Sequence, residues 1–394
     1  MNTHSFRDPS IALAVPVSIP YRRDSDDTIM SLIGRTLREI FERSGLKKHE
    51  VDGLAVSSFT LEPDTAASIA VEFEWPLSWL EQVPFGGASG VIALRRAASA
   101  VRSGDAEVVV CLAADAMNTS SFVDLASNFA RISNESVYPY GAAGTNAVFA
   151  LMTRHYMERF GATREDFGRL CVDQRHNANH YPGSLFRERK LTLEEYLRAR
   201  PIVEPLHLYD CVMPCTGAEA FLVMSEQRAR SLNLECATLR SSAEAYNAFH
   251  EDPLQIRGGW AKFRDELYDC AGMSPEEIDI VQPYDDYPVI VFQQLEDLGF
   301  CRKGEASAFI RDNRLTFDTE GLVCNSNGGQ LSAGQAGAAG GFLGLVEAVR
   351  QLTDSPLPNR VRDAKAALVS GYGMAVYDRC VCTNAAILTR RVVA

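Results

Sequence analysis

Apolar residues recur in two rhythms along this chain. Short unbroken apolar runs, Ile11–Val17, Val51–Ser57 and Val108–Ala113, read as buried strands. Between them Ile29, Leu32, Ile33, Leu37, Ile40 and Phe41 fall on one face of a helix over Thr28–Ser44. A second helix is expected from Ala88 to Arg102, after the glycine pair at 86 and 87. Strands that alternate with helices imply a mainly parallel sheet. The stretch from 118 to about 235 carries helices over Asn146–Phe160, Thr163–His176 and Thr192–Ala199. Thr163 suits an N-cap, with Glu165 and Asp166 in the first turn. Further on, a strand over Glu277–Val281 runs into Gln282–Tyr287, where Asp286 or Tyr287 caps a helix from Pro288 to Leu298. The chain closes with strands over Ala366–Ser370 and Arg379–Leu388.

The pattern is written twice. GLKKHEVDGL at Gly45–Leu54 returns as GMSPEEIDIV at Gly272–Val281. GASG at Gly87–Gly90 opens an apolar helix, and so does GAAG at Gly337–Gly340. DAEVVVCLAADAM at Asp105–Met117 matches DAKAALVSGYGM at Asp363–Met374. The order is kept and the offset grows slowly, which predicts two copies of one α/β unit rather than a short-period solenoid. Residues 118 to about 235 find no counterpart in this comparison, and the second copy begins near Cys236.

Composition narrows the class. With 394 residues, 46% hydrophobic and 23% charged, the chain is globular. A net charge of −12 argues against a general binder of nucleic acid or anionic membranes. Arg7, Asp8, Arg22 and Arg23 interrupt any leader-like apolar run, and no stretch reaches the roughly 18 apolar residues of a membrane span. The ten cysteines include no CxxC and no paired Cys/His spacing, so a structural zinc site is not expected. Reduced, buried thiols in a cytoplasmic protein are.

Two segments carry candidate chemistry. Gly86-Gly87-Ala88-Ser89-Gly90 permits a sharp turn whose amides point out of a helix N-terminus. Such a turn either holds a developing oxyanion or simply lets helix and strand pack closely. Its spacing does not fit a dinucleotide fingerprint. Tyr284-Asp285-Asp286-Tyr287 follows a strand end, where sites collect in α/β folds. A phenol there can move a proton with a carboxylate to orient it, or the cluster is an N-cap with packed tyrosines.

At this point the chain resembles the thiolase superfamily, in the branch of sterol-carrier-type thiolases and lipid-transfer-like proteins. The resemblance covers almost the whole chain. It rests on GGASG at 86–90, YMERFGATREDF at 156–167, YDDYPVIVFQQLEDLGFCRKGE at 284–305 and NSNGGQLSAGQAGAAGG at 325–341. It implies a thiolase-like α/β fold, two duplicated βαβαβαββ halves in five layers (αβαβα). Residues 1–117 and 200–240 would form the first half, 118–199 a loop or lid insert, and 241–394 the second half.

The departures matter as much as the match. Gly87 stands where a degradative thiolase has its nucleophilic cysteine, Gln335 where it has its histidine, and Val369 or Ser370 near its second cysteine. A subgroup with the same losses is more similar still: the acyl-CoA aldolases of steroid side-chain breakdown, in which a thiolase-like subunit pairs with a small zinc-ribbon/OB-fold protein. Their YDxF tyrosine corresponds to Tyr284, with Tyr287 replacing the phenylalanine, and their second tyrosine falls at Gln335. The resemblance implies a retro-aldolase acting on a β-hydroxyacyl-CoA, with Tyr284, Asp285 and Gln335 catalytic and either Asp285 or Asp286 orienting the Tyr284 phenol. Gly86, Gly87, Ser89, Asn325, Gly328, Gly329, Tyr372 and Gly373 would bind substrate or its oxyanion, and Tyr372 or Asp285 would substitute for the missing second tyrosine. Coenzyme A enters only as part of the substrate, and a homodimer joined through the first half is expected. The alternatives are an acyltransferase subunit of a complex and a catalytically silent lipid-binding or scaffold homologue.

Overall fold

A computed structural model describes residues 11–391 except 128–129, 142–143, 354–355 and 378; Arg7 and Asp8 lie outside the described residues. The first half of the chain supplies β1 (Ile11–Arg22), β2 (Gly53–Ser57), β3 (Trp79–Gln82) and β4 (Val108–Asp115). After a small hairpin, β5 (Pro201–Val203) and β6 (Leu206–His207), it adds β7 (Thr216–Ser225). The second half supplies β8 (Cys236–Tyr246), β9 (Ile280–Pro283), β10 (Val323–Cys324), β11 (Ala366–Val376) and β12 (Arg379–Arg390). Apart from the hairpin, these strands form one sheet in the order β10-β9-β11-β12-β8-β1-β7-β4-β2-β3.

Read outward from its centre, that sheet repeats itself. The first half runs β1-β7-β4-β2-β3 and the second β8-β12-β11-β9-β10. In both, the two inner pairings are antiparallel and the two outer ones parallel. The halves join where β1 meets β8, from Ala12 opposite Thr238 to Ala14 opposite Cys236. The sheet corrects two expectations. With five antiparallel pairings and four parallel ones among the described residues, it is mixed rather than mainly parallel, because the two inner strands of each half join antiparallel to their neighbours. Thr216–Ser225, placed in a stretch without a repeat partner, pairs with β1 and β4 as β12 pairs with β8 and β11. The two strands share burial and hydrogen bonding but no residue motif, so their equivalence is invisible to string matching.

The helices that matter here are α1 (Ile29–Ser44), α2 (Ser89–Ser103), α3 (Thr119–Ser127), α4 (Thr145–Phe160), α5 (Arg164–His180), α6 (Trp260–Ala271), α7 (Pro288–Asp297), α8 (Gly329–Ala333) and α9 (Gly340–Leu352). Thr28 caps α1 by accepting from Ser31 N at 3.2 Å, and Gly45 closes it with φ +70°. Its apolar face covers the outer side of the first half-sheet. α6 and α7 cover the second half-sheet from outside, and α2 and α9 fill the centre between the half-sheets. Five layers result, α-β-α-β-α.

The two central helices start alike. A 3-10 turn at Gly86–Ala88 leads into α2, and another at Gly337–Ala339 leads into α9. They pack so closely that a Cβ on Gly90 would fall 2.0 Å from the carbonyl oxygen of Gly341. GASG and GAAG therefore open equivalent, adjacent helices. The excursion between β4 and β7 sends α4 and α5 across the second half, against α7 and α8. Arg311 anchors it by pairing with Asp166 through two contacts of 2.6 and 2.7 Å. Among the described residues no helix is long and apolar enough to cross a membrane, and no cluster of three or more His, Cys, Asp or Glu is placed to hold a metal ion.

Candidate active site

β9 delivers Tyr284 to the centre of the molecule. The Tyr284 amide donates to Ser370 O at 3.0 Å, and its carbonyl accepts from Gln294 Nε2 at 2.7 Å. Held from both sides, the ring lies against Gly87. A Cβ built on Gly87 would stand 2.1 Å from two ring carbons and 2.4 Å from Tyr372 O. The phenol thus fills the space a side chain at position 87 would need.

Alternation along the extended segment decides which aspartate joins it. Residues 284 and 286 face one side and 285 the other. On the cleft side the phenol has the Asp286 carboxyl and the Gln335 amide as polar neighbours. Burial, reinforced by the charge of Asp286, pushes the phenol well above its ordinary pKa, and the Gln335 contact acts the other way. Burial also raises the Asp286 carboxyl to about 7, while the phenol beside it favours the charged form. Asp286 Oδ1 is buried with no protein hydrogen-bond partner. The pair therefore couples a protonated phenol to a carboxyl balanced near neutrality, the arrangement general acid–base chemistry uses.

Asp285 turns out to serve the fold. Its carboxylate accepts from Gln330 N at 2.8 Å, Leu331 N at 3.2 Å and Gln174 Nε2 at 2.8 Å. It caps α8 and ties it to α5, and burial raises its pKa to about 8. It does not line the cleft, which corrects its expected catalytic place.

The cleft in front of Tyr284 spans about 620 Å³ counted together with the open solvent at its mouth. Gly86, Gly87, Tyr284, Asp286, Gln335 and Gly373 give it a polar end, with the Tyr372 ring beside them. Phe59, Phe122, Leu125, Phe149, Val212 and Met374 give it apolar walls. A second polar group forms where Tyr287 donates to Asn146 Oδ1 at 2.6 Å, with Thr145 Oγ1 at 3.3 Å and Phe149 stacked on its ring at 4.1 Å. Gln335 is positioned by its own backbone, which donates to Met213 O at 2.8 Å and accepts from Cys215 N at 3.0 Å.

Several expected site residues lie elsewhere. Ser89 accepts from Phe85 N and donates to Val83 O, both at 3.1 Å, so its hydroxyl pins the turn before α2. Asn325 donates to Pro283 O at 3.2 Å. Gly328 packs under α5, where a Cβ would meet Ala178 at 2.4 Å, and Gly329 packs under Asp285 at 2.0 Å. All four are buried away from the cleft. Tyr372 shows the cleft its ring only, because its hydroxyl donates to Gln255 Oε1 at 2.8 Å. The sequence reading did not reach Phe59, Phe122, Thr145, Phe149, Val212 or Met374. Phe59 comes from the loop after β2, Met374 from β11 and the rest from the excursion, and no local motif marks them.

Fold and cleft together define a thiolase-type protein in which the Tyr284 ring fills the space beside Gly87. Residues 240–386 match the family model described as thiolase C-terminal domain-like. A steroid side-chain-cleaving aldolase of Thermomonospora curvata is 34% identical over 346 residues, 83% of this chain and 86% of that protein. The 17-hydroxy-3-oxo-4-pregnene-20-carboxyl-CoA lyase of Mycobacterium tuberculosis is 30% identical over 367 residues, 89% of this chain and 93% of that one. The solved Ltp2-ChsH2(DUF35) aldolase superposes with a TM-score of 0.85 at 30% identity, covering 98% of this chain and 99% of its own. The chain belongs to the thiolase superfamily, and within it to the aldolase family that these relatives represent.

Proposed function

We propose that the chain is the thiolase-like subunit of an acyl-CoA aldolase, a carbon–carbon lyase that splits a β-hydroxyacyl-CoA. The observation that carries this reading is the Tyr284 phenol in the space of the absent side chain at Gly87, beside Asp286 at the polar end of an apolar cleft. Asp286, in its charged form, takes the phenol proton as Tyr284 takes the proton of the β-hydroxyl. The Cα–Cβ bond breaks, the β-carbon becomes a carbonyl, and the electron pair moves into the thioester enolate. The amides of Gly86 and Gly87, which open the turn into α2, face that enolate as its hydrogen-bond donors. The proton then returns through Tyr284 to Cα, leaving a ketone or aldehyde and a shortened acyl-CoA. Asp286, rather than Asp285, is thus the carboxylate partner. Retro-aldol cleavage needs no covalent nucleophile, and no cysteine lines the cleft.

Coenzyme A takes part only as the substrate's carrier. A small zinc-ribbon/OB-fold protein completes the enzyme, as two proteins make up the solved Ltp2-ChsH2(DUF35) aldolase. The protomer pairs with a second copy through the first half, where β3 leaves the sheet edge open, and works in the cytoplasm. The test is co-expression with such a partner, followed by mass spectrometry on a panel of β-hydroxyacyl-CoA thioesters. Release of a carbonyl product together with a shorter acyl-CoA is the expected result. Intact substrate across the panel in the presence of the bound partner defeats the proposal.

A further inference from the structure

Behind Tyr284, away from the cleft, lies a second and smaller pocket, with room of about 10 Å³ for the centre of a water-sized molecule. It sits between the end of β9, the Asn325–Gln330 loop and the first turns of α9. Tyr284 is the residue common to the linings of both spaces. The inner one is polar in an unusual way. Gln282, Asn327 and Gln330 line it, each no more than 1% exposed. Gln282 Nε2 donates to Ser326 Oγ at 2.9 Å, but its Oε1 has no protein partner. Asn327 Oδ1 accepts from Gly329 N at 3.0 Å, but its Nδ2 has none. Neither polar atom of the Gln330 amide has a well-formed partner, although the amide lies next to the Tyr284 phenol. Gly340 leaves the room for it, since a Cβ there would strike Gln330 Oε1 at 2.0 Å.

Burying such groups without partners is costly at each of them. Four unmet atoms on three side chains that line one small space call for a shared partner. Their chemistry is complementary to one small amphoteric ligand. Asn327 Nδ2 offers a donor, Gln282 Oε1 an acceptor, and Gln330 one of each. A water molecule has two protons to give and two lone pairs to accept with, and it needs only about one probe sphere of free space and two to four polar partners.

We propose that this pocket is a binding site for a fixed internal water, held by Gln282, Asn327 and Gln330. Through Gln330 it supports the inner side of the Tyr284 phenol. The water orients the Gln330 amide so that its N–H points at the phenol oxygen and stabilises the negative charge that develops there as the proton passes to Asp286. Gln330 is a positioning residue in this scheme, acting on substrate only through Tyr284. The role in turnover rests on the lyase reading above, whereas the water site itself does not.

The test has two arms. A high-resolution crystal structure of the full chain with its partner is expected to show one ordered water within hydrogen-bond distance of all three side chains, and Gln330→Met is expected to displace it. An empty inner space, or a water that does not touch Gln330, overturns the proposal whatever the enzyme does. In the kinetic arm, Gln330→Met is expected to lower kcat about tenfold, the scale of a hydrogen bond to a charged group, with KM unchanged and the solvent isotope effect altered. Unchanged kcat and isotope effect remove Gln330 from its role. Should Gln330→Met fail to fold, Asn327→Ser takes its place in both arms, with the same expected and overturning results.

Discussion

Gly87 and Tyr284 exclude one another: a methyl group on the glycine would fall 2.1 Å from the tyrosine ring. The space a side chain on the glycine would need is filled by the tyrosine, and the ring is fixed there by the backbone that follows β9. Gly87→Cys restores a thiolase-like nucleophile by name, yet it must expel Tyr284. The expected outcome is loss of lyase turnover with no gain of thiolase activity, and destabilisation of about 1–3 kcal/mol from overpacking. Denaturant midpoints and turnover assays on the purified variant check both parts.

Tyr284→Phe keeps the ring and removes the oxygen. Turnover is expected to fall roughly 10²–10⁴-fold at unchanged stability, since proton transfer by a positioned side chain contributes on that scale. Wild-type kinetics at unchanged fold would show that the ring merely packs.

Asp286 sets the pH dependence. It must be charged to accept a proton, and its carboxyl titrates at about 7. Turnover is therefore expected to fall as the pH drops below about 7, approaching tenfold per pH unit. Asp286→Asn is expected to lower the plateau and abolish this limb. A pH–rate profile of the two proteins reads the difference directly.

Asp285 makes the contrasting prediction, in stability rather than rate. Its folded pKa of about 8 lies above the unfolded value of roughly 4, so burial favours the protonated form. Its contribution is fully present below about pH 4 and is lost as the pH rises through about 8. Asp285→Asn mimics the protonated state, and Gln174 Oε1, which has no partner, can turn to accept from the new amide. The variant should flatten the pH dependence of Tm between pH 4 and 8 relative to wild type, with activity reduced far less than in Asp286→Asn. Parallel Tm curves for the two proteins would contradict this.

Incubation with acetyl-CoA or acetoacetyl-CoA should leave the protein mass unchanged. Burial raises the thiol pKa of Cys215 and Cys324, so neither presents a thiolate near neutrality. A stable acyl adduct on either would redirect the assignment toward acyl transfer.

Much of this architecture could be read from the residues alone. The duplicated strings survive because both copies bury the same strand against the same central helix, and GASG and GAAG mark a contact that tolerates no side chain. β7 was missed because a fully buried strand can be built from many apolar orders, so its likeness to β12 lies in pairing. Asp286 stood in plain sight, and alternation about Tyr284 separates it from Asp285 once the strand is known to run through Pro283. The Asn325–Gly329 loop misled because glycines that let a backbone approach a helix look the same, as letters, as glycines that cradle a ligand. The apolar walls were illegible, since Phe59, Phe149 and Val212 are brought together only by the fold.

The cleft draws Gly87 from one copy of the unit, Tyr284 and Gln335 from the other, and Phe149 from the excursion between β4 and β7 of the first. Neither copy therefore carries a workable catalytic centre that could be inherited, expressed or lost by itself. Duplication here did not yield two sites with one redundant. It yielded one composite site, to which the first copy brings a residue without a side chain and the second the ring that fills the space beside it.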